Sequence, residues 1–283
     1  MDREAVFFAL HTDPNFRQIL QDTYWDKDLE EAARRFAESA EFLEVLDRLR
    51  PQRERTILDL GAGNGIAACG FARAGAELVY ALEPSPSQYL GAGAIRRLCE
   101  GLPVEILEGF GENIPLPDGS VDAVYARQML HHARDLRGVL KECARVLRPG
   151  GLFAACREHV CDDSRQLAVF LKAHPTAQQT EDESAFSLPE YLGAIRGAGL
   201  IVDGVLGPWD SIINAFPSVR TPEEFSDYPA VCARRRFPRF ASILLRVPGA
   251  RASIRWRLRR PVPGRLFSFF ACKPAQNERD GVR

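Results

Sequence analysis

Long apolar runs are missing from this 283-residue sequence. The longest, such as Val6 to Leu10 and Ala241 to Leu245, fall well short of the roughly 18 residues a membrane-spanning helix needs, so no such helix is expected. Cysteine supplies no framework either. The seven cysteines (69, 99, 143, 156, 161, 232 and 272) are odd in number, irregularly spaced and without a C-x-x-C pair, which argues against both a disulfide scaffold and a metal site. Cys156 and Cys161 with His159 are too few ligands for zinc. There is no internal repeat and no low-complexity tract. The opening Met1-Asp2-Arg3-Glu4 carries acids where a secretory signal carries a basic cluster, and His11 and Asp13 interrupt the apolar stretch that follows, so a cytoplasmic location is expected. Acids are absent from residues 233–265, which hold eleven arginines, whereas residues 1–50 hold 12 acids against 7 bases. The formal net charge of -1 hides this asymmetry. The basic stretch suits an anionic partner or membrane face.

What is present is ordinary for a globular protein: 46% hydrophobic and 27% charged residues, which excludes a disordered tail or a collagen-like fibre. From Asp28 to Arg50 the residues Leu29, Ala33, Phe36, Ala37, Ala40, Leu43 and Leu46 recur at spacings of three and four, predicting one amphipathic helix that Pro51 ends. Beyond it strands and helices alternate. Strands are expected at 56–60, 77–82, 104–107, 121–126 and 151–156, with helices at 66–74, 87–101 and 136–147 between them. A helix (188–197), a strand (200–206) and a last strand (265–272) complete the pattern. This alternation predicts an α/β fold with a doubly wound, mostly parallel seven-stranded sheet. Residues 1–50 are expected to form an N-terminal helical cap, and residues 51–206 with 265–274 the main domain. Residues 207–264, rich in proline, form a long basic insertion before the last strand, a lid or substrate element without long helices.

The chemistry concentrates after the first strand. Gly61-Ala62-Gly63-Asn64-Gly65 makes a tight turn where a parallel sheet places its ligand crevice, with a helix N-terminus behind it. The dinucleotide fingerprint needs a third glycine at position 66, where Ile66 stands, and this disfavours a nicotinamide cofactor. Asp59 is an acid inside an apolar strand and requires a polar partner. Glu83 closes the second strand, where a carboxylate can accept bonds from both hydroxyls of a ribose. The stretch from Glu108 to Asp122 then precedes Leu130-His131-His132 with Asp135, and Arg145-Val146-Leu147-Arg148-Pro149-Gly150-Gly151 follows.

These four motifs, in this order, resemble class I S-adenosylmethionine-dependent methyltransferases, in particular the small-molecule and quinone-biosynthesis subgroup, over roughly residues 36 to 160. The resemblance implies S-adenosyl-L-methionine as cofactor. Asp59 and the turn Gly61, Ala62, Gly63, Asn64 and Gly65 would hold its methionine part, and Glu83 its ribose. Pro84 and Ser85 would flank the adenine, with Gly111 and Glu112 lining its pocket. Arg127 would lie near the methionine moiety, with Leu130 to His132 beside it. At Phe110 many relatives have Asp, so Phe110 would stack on the adenine or turn away from it.

Methyl transfer from a sulfonium is an in-line displacement in which positioning supplies much of the acceleration. A hydroxyl acceptor usually needs a general base, whereas a thiolate, amine or enolate needs alignment alone. The candidate bases are His131, His132 and His159, the last beside Glu158, a carboxylate able to orient an imidazole. His11 and His174 receive no role. Tyr24 and Trp25 either enclose the sulfonium through cation–π contact or staple the N-terminal helix to the core. The expected activity is methylation of a small-molecule, lipid or saccharide acceptor. A nucleoside-binding module without turnover and a nicotinamide-dependent reductase are the alternatives. The arginines of the insertion, interleaved with Phe237, Phe240, Ile254, Trp256 and Leu258, suit an anionic substrate or peripheral contact with a membrane face, and nucleic acid less well.

Overall fold

The structure is a computed structural model and describes residues 3–50, 54–173 and 184–275; Pro51 and His174 lie outside the described residues. Two short helices, α1 (Arg3–Thr12) and α2 (Arg17–Asp22), open the chain. The single helix expected over Asp28–Arg50 is two, α3 (Leu29–Ala37) and α4 (Ala40–Arg48). Asp28 accepts from the Glu31 N–H and Ser39 from the Phe42 N–H, so each caps a helix start by satisfying an orphan donor. The break resets the helical phase. Helix α4 buries Glu41, Phe42, Val45 and Leu46, while Leu43, expected on the core face, is 53% exposed.

The alternating region follows as β1 (Thr56–Leu60), α5 (Ile66–Arg73), β2 (Leu78–Leu82), α6 (Ala92–Leu98), β3 (Val104–Leu107), β4 (Val121–Arg127), α7 (Leu136–Val146) and β5 (Leu147–Val160). The helix expected from Ser87 starts only at Ala92. The Ser87 hydroxyl accepts the N–H groups of Tyr89 and Leu90, and the Ser85 carbonyl that of Ala92, which holds the segment as a turn. An unexpected helix, α8 (Ser164–Ala173), follows β5. Next come α9 (Leu188–Gly197), opened by a Ser187/Glu190 capping box, and β6 (Ile201–Leu206). The 207–264 stretch contains short helices only, α10 (Ile212–Ala215), α11 (Pro222–Ser226), α12 (Tyr228–Arg236), α13 (Ala241–Leu244) and α14 (Ala250–Leu258), before β7 (Arg265–Cys272). Among the described residues no helix is long and apolar enough to cross a membrane.

The strands form one seven-stranded sheet in the order β3-β2-β1-β4-β5-β7-β6, parallel except for β7, which runs antiparallel to both its neighbours. Phe36, Phe42, Phe71 and Tyr125 belong to one buried cluster, and Leu58, Leu140, Phe153 and Tyr191 to another, so strands and helices bury apolar side chains in two layers. The β5–β7 register shifts between Ala155 and Glu158, where Arg157 has φ 62°. Such a bulge re-aims the side chains that follow it. Strand order reverses between β1 and β4, which fixes where a ligand crevice opens.

Candidate active site

A cavity of about 1020 Å³ opens beyond the carboxyl ends of β1, β2, β4 and β5. Most of the site residues expected from the sequence line it, but Tyr24, Gly65, Ser85, Leu130 and Glu158 do not. The turn after β1 is hooked onto β2, because the N–H groups of Gly61 and Ala62 both donate to the Leu82 carbonyl at 3.0 Å. The next amide, Gly63, donates to Oε2 of Glu83 at 2.8 Å, and Ser85 N donates to Oε1 at 2.9 Å. Glu83 thus fastens the glycine turn to the strand end while lining the cavity. Gly63 has φ +57°, and a Cβ built there would project into open space, so the backbone offers a close approach to a ligand. At Gly65, φ +85° and an Ile95 Cα 3.2 Å from a built Cβ leave room for glycine alone.

Asp59 is 2% exposed and its Oδ2 has no hydrogen-bond partner. Burial pushes this carboxyl from 3.8 up to about 7; the nearby Glu83 charge adds to the rise and the Ala68 N–H opposes it. The Ala68 amide is thus a polar partner for the carboxyl, while Oδ2 has none among the described residues. A buried carboxylate with one oxygen unsatisfied on the cavity wall is suited to an ammonium group.

Arg127 is bound on the protein side. Its Nε lies 2.6 Å from Oε1 of the fully buried Glu41, and the Arg157 Nε stands 3.7 Å from the same oxygen. Burial on its own would raise the Glu41 pKa; the two guanidinium groups more than offset this and hold it low. Glu41 was not expected as a site residue, because the phase of one continuous helix puts it toward solvent. Asn64 donates to the Tyr24 carbonyl at 2.9 Å and so ties the turn to the N-terminal segment. Tyr24 lies in the core against Phe36 and Phe216, with the Arg127 guanidinium 5.5 Å from its ring centre. Trp25, with Leu10, Ile19 and Leu20, lines the cavity, giving it an apolar wall from the N-terminal helices. Phe110 also lines it and is 63% exposed. Oε1 of Glu112 accepts from the N–H groups of Arg134 and Asp135.

The second carboxylate arrangement differs from the expected one. Glu158 orients His131, not His159: its Oε2 is 2.8 Å from His131 Nδ1 and accepts the His131 N–H, and its Oε1 accepts the Met129 N–H. Neighbours on a strand point to opposite faces, so Glu158 and His159 diverge. His159 Nδ1 lies 2.8 Å from the Gly264 carbonyl oxygen instead. Burial raises the Glu158 pKa, and the backbone N–H groups of residues 129 to 131 oppose the rise. The His131 ring centre is 4.2 Å from that of His132 and 4.9 Å from that of His159, so three histidines share one end of the cavity.

A doubly wound sheet with a glycine turn at its switch point and an acid ending the next strand defines a nucleoside-binding α/β domain. The comparisons specify its type. Residues 58–155 match the family model described as "Methyltransferase domain". An uncharacterized methyltransferase of Mycobacterium bovis is 40% identical over 109 residues, 38% of this chain and 42% of that protein, so the chain spans less than half the length of this relative. The ubiquinone biosynthesis O-methyltransferase of Xanthomonas axonopodis pv. citri is 29% identical over 199 residues, covering 67% of this chain and 82% of that one. Among solved structures, geranyl diphosphate methyltransferase in complex with SAM superposes with a TM-score of 0.58 at 19% identity, over 88% of this chain and 92% of that one. Residues 58–155 thus carry a methyltransferase domain.

Proposed function

We propose that the protein transfers the cofactor's methyl group to a hydroxyl of a small-molecule, lipid or saccharide acceptor, with His131 as general base. One observation carries this reading: His131, bonded to the buried Glu158, lines the same cavity as Asp59, whose Oδ2 has no partner. The name of the Xanthomonas relative, an O-methyltransferase, supports a hydroxyl acceptor. No observation favours the alternatives, and Ile66 begins α5 where a dinucleotide site needs glycine.

Asp59 and the amides of the glycine turn would hold the ammonium and carboxylate of a methionine tail, and Glu83 the hydroxyls of a ribose. Pro84, Phe110, Gly111 and Glu112 would enclose the adenine. Arg127, committed to Glu41, would act as wall and support. His132 and His159 would shape the acceptor end. When bound, the cofactor supplies an electrophilic methyl on a sulfonium. The chain's task is then to align the acceptor oxygen and take its proton. With Glu158 accepting the Nδ1 proton of His131 across 2.8 Å, Nε2 would be the basic nitrogen. Trp25, Leu10, Ile19 and Leu20 keep water from the acceptor. Residues 51–206 with 265–274 would form this catalytic unit, and residues 1–50 its cover.

The test has two steps. S-adenosylhomocysteine raises the melting temperature by mass action and NADH does not. With labelled cofactor and hydroxylated acceptors, His131→Gln lowers kcat by about 10² to 10⁴ and leaves cofactor affinity unchanged. A variant retaining wild-type kcat removes His131 from the chemistry; absence of both label transfer and thermal shift removes the whole reading.

A further inference from the structure

Helix α13 and the turns around it present their apolar side chains to the wrong side for a water-facing helix. Phe240, Ile243 and Val247 recur at spacings of three and four and are 54–66% exposed, while Ala241, between them, is buried. A surface helix of a globular protein directs such a stripe inward. Phe237 precedes it at 48% exposed. Helix α14 repeats the arrangement. Ile254 and Leu258 are half-buried, and Leu258 packs on the cluster around Ile212 and Tyr228. Trp256 is 60% exposed with the Arg260 guanidinium 3.9 Å from its ring centre.

Arginine dominates the charge of this stretch, which contains no acid of its own. Of the eleven arginines in residues 233–265, four have a carboxylate partner: Arg235 with Glu224, Arg251 with Asp227, Arg259 with Asp210 and Arg265 with Asp162. The other seven have none among the described residues. Arg234, Arg239 and Arg246 are exposed and interleave with Phe237, Phe240, Ile243 and Val247 along the chain. A nucleic-acid surface needs the charge, and its bases would stack on Phe240 or Trp256, but outward Ile243 and Val247 serve neither purpose. Exposed aliphatic and aromatic side chains set among unpaired arginines match the boundary of an anionic bilayer, where apolar groups enter the acyl region and guanidinium groups meet phosphate.

We propose that the face formed by residues 234–247 and the Trp256 side of α14 docks on an anionic lipid bilayer. The stretch ends at Gly264, whose carbonyl oxygen is bonded to His159 in the cavity wall, so the docking element is anchored directly to the candidate active site.

Flotation of the full chain with phosphatidylcholine vesicles, with and without phosphatidylserine, tests this without reference to methyl transfer. The chain floats with the serine-containing vesicles and stays in the dense fraction with phosphatidylcholine alone. Replacing Arg234, Arg239 and Arg246 by alanine lowers the partition coefficient about 100-fold, at about fivefold per arginine. Phe240→Ser with Ile243→Ser lowers it about tenfold or more, with the melting temperature unchanged because both side chains face solvent. Should that pair of changes destabilise the fold, the single exposed Trp256→Ala carries the same test. The proposal is overturned if the chain fails to float with anionic vesicles, if the serine and alanine variants partition like the wild type, or if single-stranded RNA displaces the vesicles at equal phosphate.

Discussion

Asp59→Asn separates the energetic burden of a buried carboxylate from its use. The carboxyl is pushed from 3.8 up to about 7 by burial, so the folded chain favours its neutral form. A raised folded pKa contributes stability that is fully present below the unfolded value, near pH 4, and is lost as the pH rises through about 7. The full difference corresponds to about 4 kcal/mol, of which about 3 kcal/mol falls between pH 5 and 8. For a chain of this size about 2 °C of melting temperature accompanies each kcal/mol. Relative to Asp59→Asn, the ligand-free wild type therefore loses about 6 °C between pH 5 and 8, measured by scanning calorimetry in buffers of matched ionic strength. Saturating S-adenosylhomocysteine abolishes the difference in slope, because its ammonium supplies the partner that Oδ2 lacks. A gap between wild type and variant that stays constant across this range, or an unchanged slope with ligand, refutes the assignment of Asp59.

Two other substitutions probe the turn. Glu83→Ala removes the acceptor for the Gly63 and Ser85 amides as well as the proposed ribose contact, and lowers cofactor affinity in titration calorimetry by about tenfold or more. Affinity within twofold of wild type contradicts that role. Gly65→Ala places a Cβ 3.2 Å from the Ile95 Cα at φ +85° and destabilises the fold by about 1 to 2 kcal/mol from the left-handed backbone alone, before any steric cost, read from the urea midpoint.

Much of the nucleoside half was legible in the sequence because its signals are local. The glycine turn, Asp59 within an apolar strand and Glu83 at the end of the next all lie within one βαβ unit, and the structure brings them to one cavity. Features set by tertiary contact were not legible. Ser39 is an ordinary cap residue, but without a capping-box acid three residues on, the apolar period through Leu43 concealed the break and with it the burial of Glu41. The Glu158–His131 pair joins residues on different elements, so sequence adjacency suggested His159 instead. One available signal was passed over: in a strand, residues 158 and 159 face opposite ways. Helix α8 was not expected although Leu167-Ala168-Val169-Phe170-Leu171 is an apolar run within it, because the run is too short to show a helical period.

The antiparallel placement of β7 beside β6 has an evolutionary consequence. Two such strands are satisfied by a hairpin of a few residues, so the sheet makes no demand on what joins them, and lengthening a connection costs little in closure entropy. Only the middle of the 207–264 stretch is in this sense an exchangeable cassette, because Ile213 and Phe216 belong to the core and accept from Arg157, and Gly264 is bonded to His159. Exchanging residues 221–262 would retain those contacts and redirect the scaffold to another location or clientele.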